Sequence, residues 1–261
     1  MTPSHGTNYI MYGNTTRSTS HLADIQSWII HPQYLKNNSD YDHDIAVVRV
    51  KDQSISNSSS VYRIPLLSDV NTLESGLQGY VMGYGYSSLG ESESSQLMQI
   101  EETIVSIGAE NSSELIVAKS SPYSGVCHGD SGDCMSPFSP RHEGGPLVVK
   151  QNGVWTVAGV TARILNAYDP NPESPTCPVS YDESQASENG YVSVAVMLDW
   201  IANATSLTTA ELMAPPSTAS ANGTSASPDN TGYQTTSSGQ PTCLSNSTFI
   251  FTLWFILWLS F

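Results

Sequence analysis

Basic residues are scarce in this chain. Nine Lys and Arg stand against 24 Asp and Glu in 261 residues, a formal net charge of −15. Nucleic acids and anionic lipid surfaces both require a basic footprint, so neither is an expected electrostatic partner. Charged residues of both signs reach only 13%, about half the usual share. Ser, Thr and Asn fill the difference. Four cysteines are too few for a scaffold built on disulfides. No stretch approaches about 18 consecutive apolar residues, so no membrane-spanning helix is expected. Residues 1–20 also lack the basic start and apolar core of a secretory leader.

Asn-X-Ser/Thr, by contrast, is frequent, at Asn14, Asn37, Asn57, Asn111, Asn203, Asn222 and Asn246. Such acceptor sites are useful only in a secreted or cell-surface glycoprotein. Residues 1–204 alternate short apolar runs with polar turns. The runs are Ile45–Val50, Gly79–Met82, Leu115–Ala118, Leu147–Val149, Trp155–Val160 and Tyr191–Met197. They are bounded by Gly, Asn, Ser or Pro, which predicts many short strands in a sandwich or barrel. Ala195–Asn203 reads as a short closing helix.

Composition changes after residue 204. Between Thr205 and Thr248, 19 of 44 residues are Ser or Thr, with prolines interspersed. Such a segment buries too little apolar area to offset its ordering entropy and reads as a disordered, O-glycosylated stalk. The tail Phe249–Phe261 is almost wholly apolar. Ser237-Ser238-Gly239, the polar spacer Gln240–Thr248 and this tail fit a glycolipid-anchor signal. A short membrane span and a misread C-terminus are the other readings. The expected organisation is thus a domain over 1–204, a stalk over 205–248 and an anchor-signal tail over 249–261.

The chemistry concentrates around Cys127-His128-Gly129-Asp130-Ser131-Gly132. Gly144-Gly145-Pro146-Leu147-Val148-Val149 follows it. Upstream lie His31-Pro32-Gln33-Tyr34, Asp44-Ile45-Ala46-Val47-Val48 and Gly79-Tyr80-Val81-Met82-Gly83-Tyr84-Gly85. Downstream lie Gly190-Tyr191-Val192-Ser193-Val194 and Asp199-Trp200-Ile201. In that order, over roughly residues 1–204, these resemble the chymotrypsin/trypsin-like serine proteases. The resemblance implies an all-β fold of two antiparallel barrels, the first incomplete here, with a short C-terminal helix. It implies a serine endopeptidase acting on protein or peptide substrates, with no metal and no cofactor. Ser131 would be the nucleophile and Asp44 the carboxylate that orients the catalytic His. The backbone N–H groups of Gly129 and Ser131 would form the oxyanion hole. Asp130 would pair with the amine freed by zymogen cleavage, and Cys127 would pair with Cys177.

Three departures qualify that reading. The triad template sets His about 45 residues before Asp, and counting back from Asp44 passes Met1. His5 lies only 39 residues away and no Cys follows it. The resemblance therefore implies a chain truncated before or at the catalytic His, with impaired activity. His21, His31, His43, His128 and His142 read as exposed or turn residues. Residues 133–144 interrupt the family's continuous Gly-Asp-Ser-Gly-Gly-Pro, as an insertion or a retained intron. The pocket-floor position, six residues before Ser131, is Gly125, so a preference for Arg or Lys is not supported. Ala162 and Ile164 would line the pocket wall, Ile164 narrowing it. A non-catalytic homologue, a surface glycoprotein binding module, and an intracellular fragment with no function are the alternatives.

Overall fold

The computed structural model describes residues 9–34, 43–51, 61–84, 94–108, 114–120, 144–166, 188–215, 242–243 and 251–252. Three strands, β1 (Tyr9–Tyr12), β2 (His21–Ile30) and β3 (Ala46–Val50), form an antiparallel sheet in that order. After the short β4 (Tyr62–Arg63) come β5 (Gln78–Gly83), β6 (Met98–Ile107), β7 (Leu115–Ser120), β8 (Pro146–Gln151), β9 (Val154–Asn166) and β10 (Glu188–Ser193). These last six pair in the order β6-β5-β8-β9-β10-β7, and β7 pairs back onto β6. The result is a closed six-stranded antiparallel barrel with no free edge at the β6–β7 seam. Among the described residues the N-terminal unit is thus a three-stranded sheet, and one barrel is closed.

Local chemistry explains the strand joints. β8 turns into β9 through Asn152-Gly153, both at positive φ (49° and 84°). That is the backbone a two-residue hairpin requires, and Asn-Gly adopts it most easily. Gly159 on β9 lies against β10; a Cβ there would stand 2.8 Å from Cβ of Tyr191 and 3.2 Å from the Val192 carbonyl oxygen. Strands β7, β8 and β10 are buried along most of their length. One apolar cluster runs from Ile45 and Ile64 through the barrel interior to Leu198, Ile201 and Leu212.

The expected strands recur with shifted ends. The run Tyr191–Met197 stops being a strand at Ser193, and residues 194–197 form turns. The closing helix is α1 (Leu198–Thr205), ended by Ser206 in the left-handed conformation. A second helix, α2 (Thr209–Met213), falls inside the segment read as stalk. Thr208 and Glu211 form a reciprocal cap, with the Thr208 N–H donating to Glu211 at 2.7 Å. Leu212 is buried in the core, and its carbonyl accepts from the Leu66 N–H. Folded backbone therefore continues past residue 204 to Met213. Two short segments, β11 (Thr242–Cys243) and β12 (Phe251–Thr252), pair with β6 and β4.

Candidate functional site

Asp44 sits two residues before β3, beside the end of β2. The His31 N–H donates to the Ile45 carbonyl, and the Ile45 N–H donates to the His43 carbonyl. His43 takes the left-handed conformation, φ 63°, which turns the chain sharply ahead of the strand. Asp44 is 1% exposed. Both of its carboxylate oxygens are buried with no hydrogen-bond partner among the described residues. Burial alone pushes its pKa up to about 8. A carboxylate left dry without a donor is held as the neutral acid until a positive or hydrogen-bonding partner reaches it.

The histidines nearest in sequence are committed elsewhere. His43 Nε2 lies 3.0 Å from Glu114 Oε1, and the His43 backbone N–H donates to Glu114 Oε2. Its ring stacks on His31 at 4.5 Å, and His31 in turn meets Trp200 of α1 at 4.8 Å. Burial, and then the neighbouring His43, lower the His31 pKa to about 4, so this imidazole is neutral at physiological pH. His31 opens the expected turn, its carbonyl accepting from the Tyr34 N–H, but its side chain is buried rather than exposed, because α1 folds back and sets Trp200 against it. This cluster joins the β2–β3 corner to the C-terminal helix.

Ala162 is buried on β9, and Ile164 lies two residues further along the same strand, its backbone opposite Asn189 of β10. The Gly144–Gly145 segment is tied to β9 by the Gly144 N–H donating to Thr161 O and the Thr161 N–H donating to Gly145 O. Thr161 Oγ1 also donates to that carbonyl at 2.8 Å. Ser131, Gly129, Asp130, Gly125, Cys127, Cys177 and His5 lie outside the described residues. Of the sequence-derived site, the described residues therefore place Asp44, Ala162 and Ile164.

Two further features have no counterpart in the sequence reading. An apolar cavity of about 150 Å³ lies between β3 and the barrel, lined by Val47, Val48, Ile64, Leu66, Val157 and Ile201. Arg49 and Arg63 are its charged members, and among the described residues no carboxylate, imidazole or thiol lines it. The other feature is Glu102, a carboxyl fully buried inside the barrel. Its signal in the sequence is the pair Glu101-Glu102 in a strand, where alternation must turn one acid inward. Among the described residues no cluster of His, Cys, Asp and Glu is arranged to hold a metal ion.

A closed antiparallel barrel, a three-stranded sheet and a helix bridging them define an all-β protein of two β units. The family model described as Trypsin matches residues 6–201, and the chain belongs to that family, the trypsin-like serine proteases. No curated protein matches the chain.

Proposed function

We propose that the chain is a serine endopeptidase by family, with Ser131 the nucleophile and Asp44 the orienting carboxylate, and that its activity is impaired because His5, only 39 residues before Asp44, departs from the triad spacing. The observation that carries this reading is Asp44 itself, buried ahead of β3 with neither oxygen meeting a donor among the described residues. A carboxylate in that state is suited to accept the Nδ1–H of an imidazole and stabilise its protonated form. In the reaction Ser131 Oγ attacks the substrate carbonyl as its proton passes to that imidazole. The N–H groups of Gly129 and Ser131 stabilise the oxyanion. The imidazole then protonates the leaving amine, and water releases the acyl group from Ser131 by the same proton relay. Asp130 takes the amine freed on activation. Gly125, Ala162 and Ile164 form a pocket for small apolar side chains, with the Cys127–Cys177 disulfide closing its wall. His31 and His43 are held by other contacts, and His5 is the position that the sequence resemblance offers for the base. The seven acceptor sites and the C-terminal pattern support a glycosylated, lipid-anchored protein at the cell surface.

The test is labelling of the 261-residue polypeptide with a fluorophosphonate that reacts with activated serines. Labelling lost in Ser131→Ala, and slowed about 10⁴-fold in Asp44→Asn, supports the proposal. Labelling in wild type that survives Ser131→Ala overturns it. A second reading, a non-catalytic homologue acting as a surface binding module, is favoured by the same Asp44, which meets no imidazole donor among the described residues. Absence of labelling in correctly folded protein selects that reading.

A further inference from the structure

We propose that Glu102 is a positioning residue that pins, from inside the barrel, the strand ends from which the nucleophile segment and the pocket-wall segment depart. Its catalytic consequence rests on the reading of Ser131 as nucleophile; its structural content does not.

Glu102 lies in the middle of β6 and is 1% exposed. Its Oε1 accepts from Ser120 Oγ at 2.9 Å and from the Asn189 side-chain amide. Its Oε2 accepts from the Tyr191 hydroxyl. Ser120, Asn189 and Tyr191 are themselves buried. Asn189 Nδ2 also lies 3.4 Å from Ser120 Oγ, so the donors touch one another. One acid thus gathers side chains from β7 and β10, the two strands that meet beside β6 where the barrel closes.

The positions of these donors matter more than their number. Ser120 is the last residue of β7, and the chain beyond it runs through Gly125 and Cys127 to Ser131. It also stands directly opposite Glu102 across the β6–β7 seam. Asn189 is the second residue of β10, immediately after the segment that carries Cys177. It pairs with Ala118 of β7 on one side and Ile164 of β9 on the other. Each segment is therefore rooted at a residue whose side chain Glu102 holds. Strand closure alone does not need this. An apolar side chain would fill the barrel at no desolvation cost, whereas a buried carboxyl with directed hydrogen bonds fixes which residues stand opposite one another.

The experiment compares wild type, Glu102→Gln and Glu102→Leu in the full chain by amide hydrogen exchange read by mass spectrometry. In Glu102→Leu, peptides covering 121–132 and 178–187 should exchange at least about tenfold faster, with the β8–β9 hairpin over 146–160 unchanged. Glu102→Gln, which keeps the shape and acceptor oxygen, should stay within about twofold of wild type. Unchanged exchange in both segments, or an equal rise over 146–160, overturns the proposal. If Glu102→Leu does not fold, Ser120→Ala decides: 121–132 should loosen more than 178–187, and an equal or opposite response overturns it. In active protein, Glu102→Leu should lower kcat about tenfold or more with KM little changed, rescued by Glu102→Gln. A fall confined to KM counts against positioning. Wild type with no serine reactivity defeats the peptidase reading while leaving the exchange result to judge Glu102.

Discussion

Asp44→Asn is expected to stabilise the protein by an amount that grows with pH. The Asp44 carboxyl is raised from 3.8 to about 8 by burial. Between these values the folded protein keeps the proton while the unfolded chain gives it up. Folding must therefore take up a proton, and stability falls as pH rises through that window. At about 1.4 kcal/mol per pH unit, the loss relative to strong acid is about 1 kcal/mol at pH 4.5 and about 4 kcal/mol at pH 7. It levels off above pH 8. An amide of the same shape carries no such titration. Like the protonated acid, it leaves polar atoms dry, so that cost of about 1–3 kcal/mol is shared by both proteins and largely cancels. The assay is urea unfolding of wild type and Asp44→Asn at several pH values between 4.5 and 9. The difference in unfolding free energy should widen from near 1 to about 4 kcal/mol or more. A difference that does not change with pH, or that favours wild type more as pH rises, refutes the reasoning and means that Asp44 has an ionic partner. Where an imidazole donates to Asp44, this pH dependence disappears and the substitution instead slows serine labelling, so the two assays together separate a complete triad from one without its base.

Glu102→Gln should flatten a second pH dependence of the same sign, because burial raises the Glu102 pKa above 4.5 despite the hydrogen bonds of Tyr191, Ser120 and Asn189. Thermal unfolding from pH 4.5 to 9 should show wild type losing more stability than the variant as pH rises. Gly159→Ala should cost about 1–3 kcal/mol, since its Cβ would meet Cβ of Tyr191 at 2.8 Å; urea midpoints read the loss, and an unchanged midpoint means that β9 and β10 separate easily. Thr208→Ala should cost about 1 kcal/mol by removing the cap on α2. The far-ultraviolet helical signal should fall with it, and an unaffected protein would mean that α2 adds nothing to the fold.

Much of the fold was legible in the residues. Short apolar runs bounded by turn formers mark β3, β5, β7, β8 and β9, because strand preferences are set locally. Local chemistry also carried a signal for α2: Thr208 followed by Glu211 is a capping pattern, hidden by the Ser/Thr-rich composition around it. Asp44 could be singled out by the motif it opens. Its burial, its unpartnered oxygens and its raised pKa could not, since these depend on what the β2–β3 corner packs against. His31 shows the same limit. Its sequence neighbours suggest a turn, while Trp200, 169 positions away in the chain, decides that it is buried and neutral. Glu102 is the clearest case. Alternation in β6 determines that one acid of Glu101-Glu102 faces inward. Only closure of the barrel brings Ser120, Asn189 and Tyr191 to that acid, because hydrogen bonds across a seam join residues that no spacing along the chain connects.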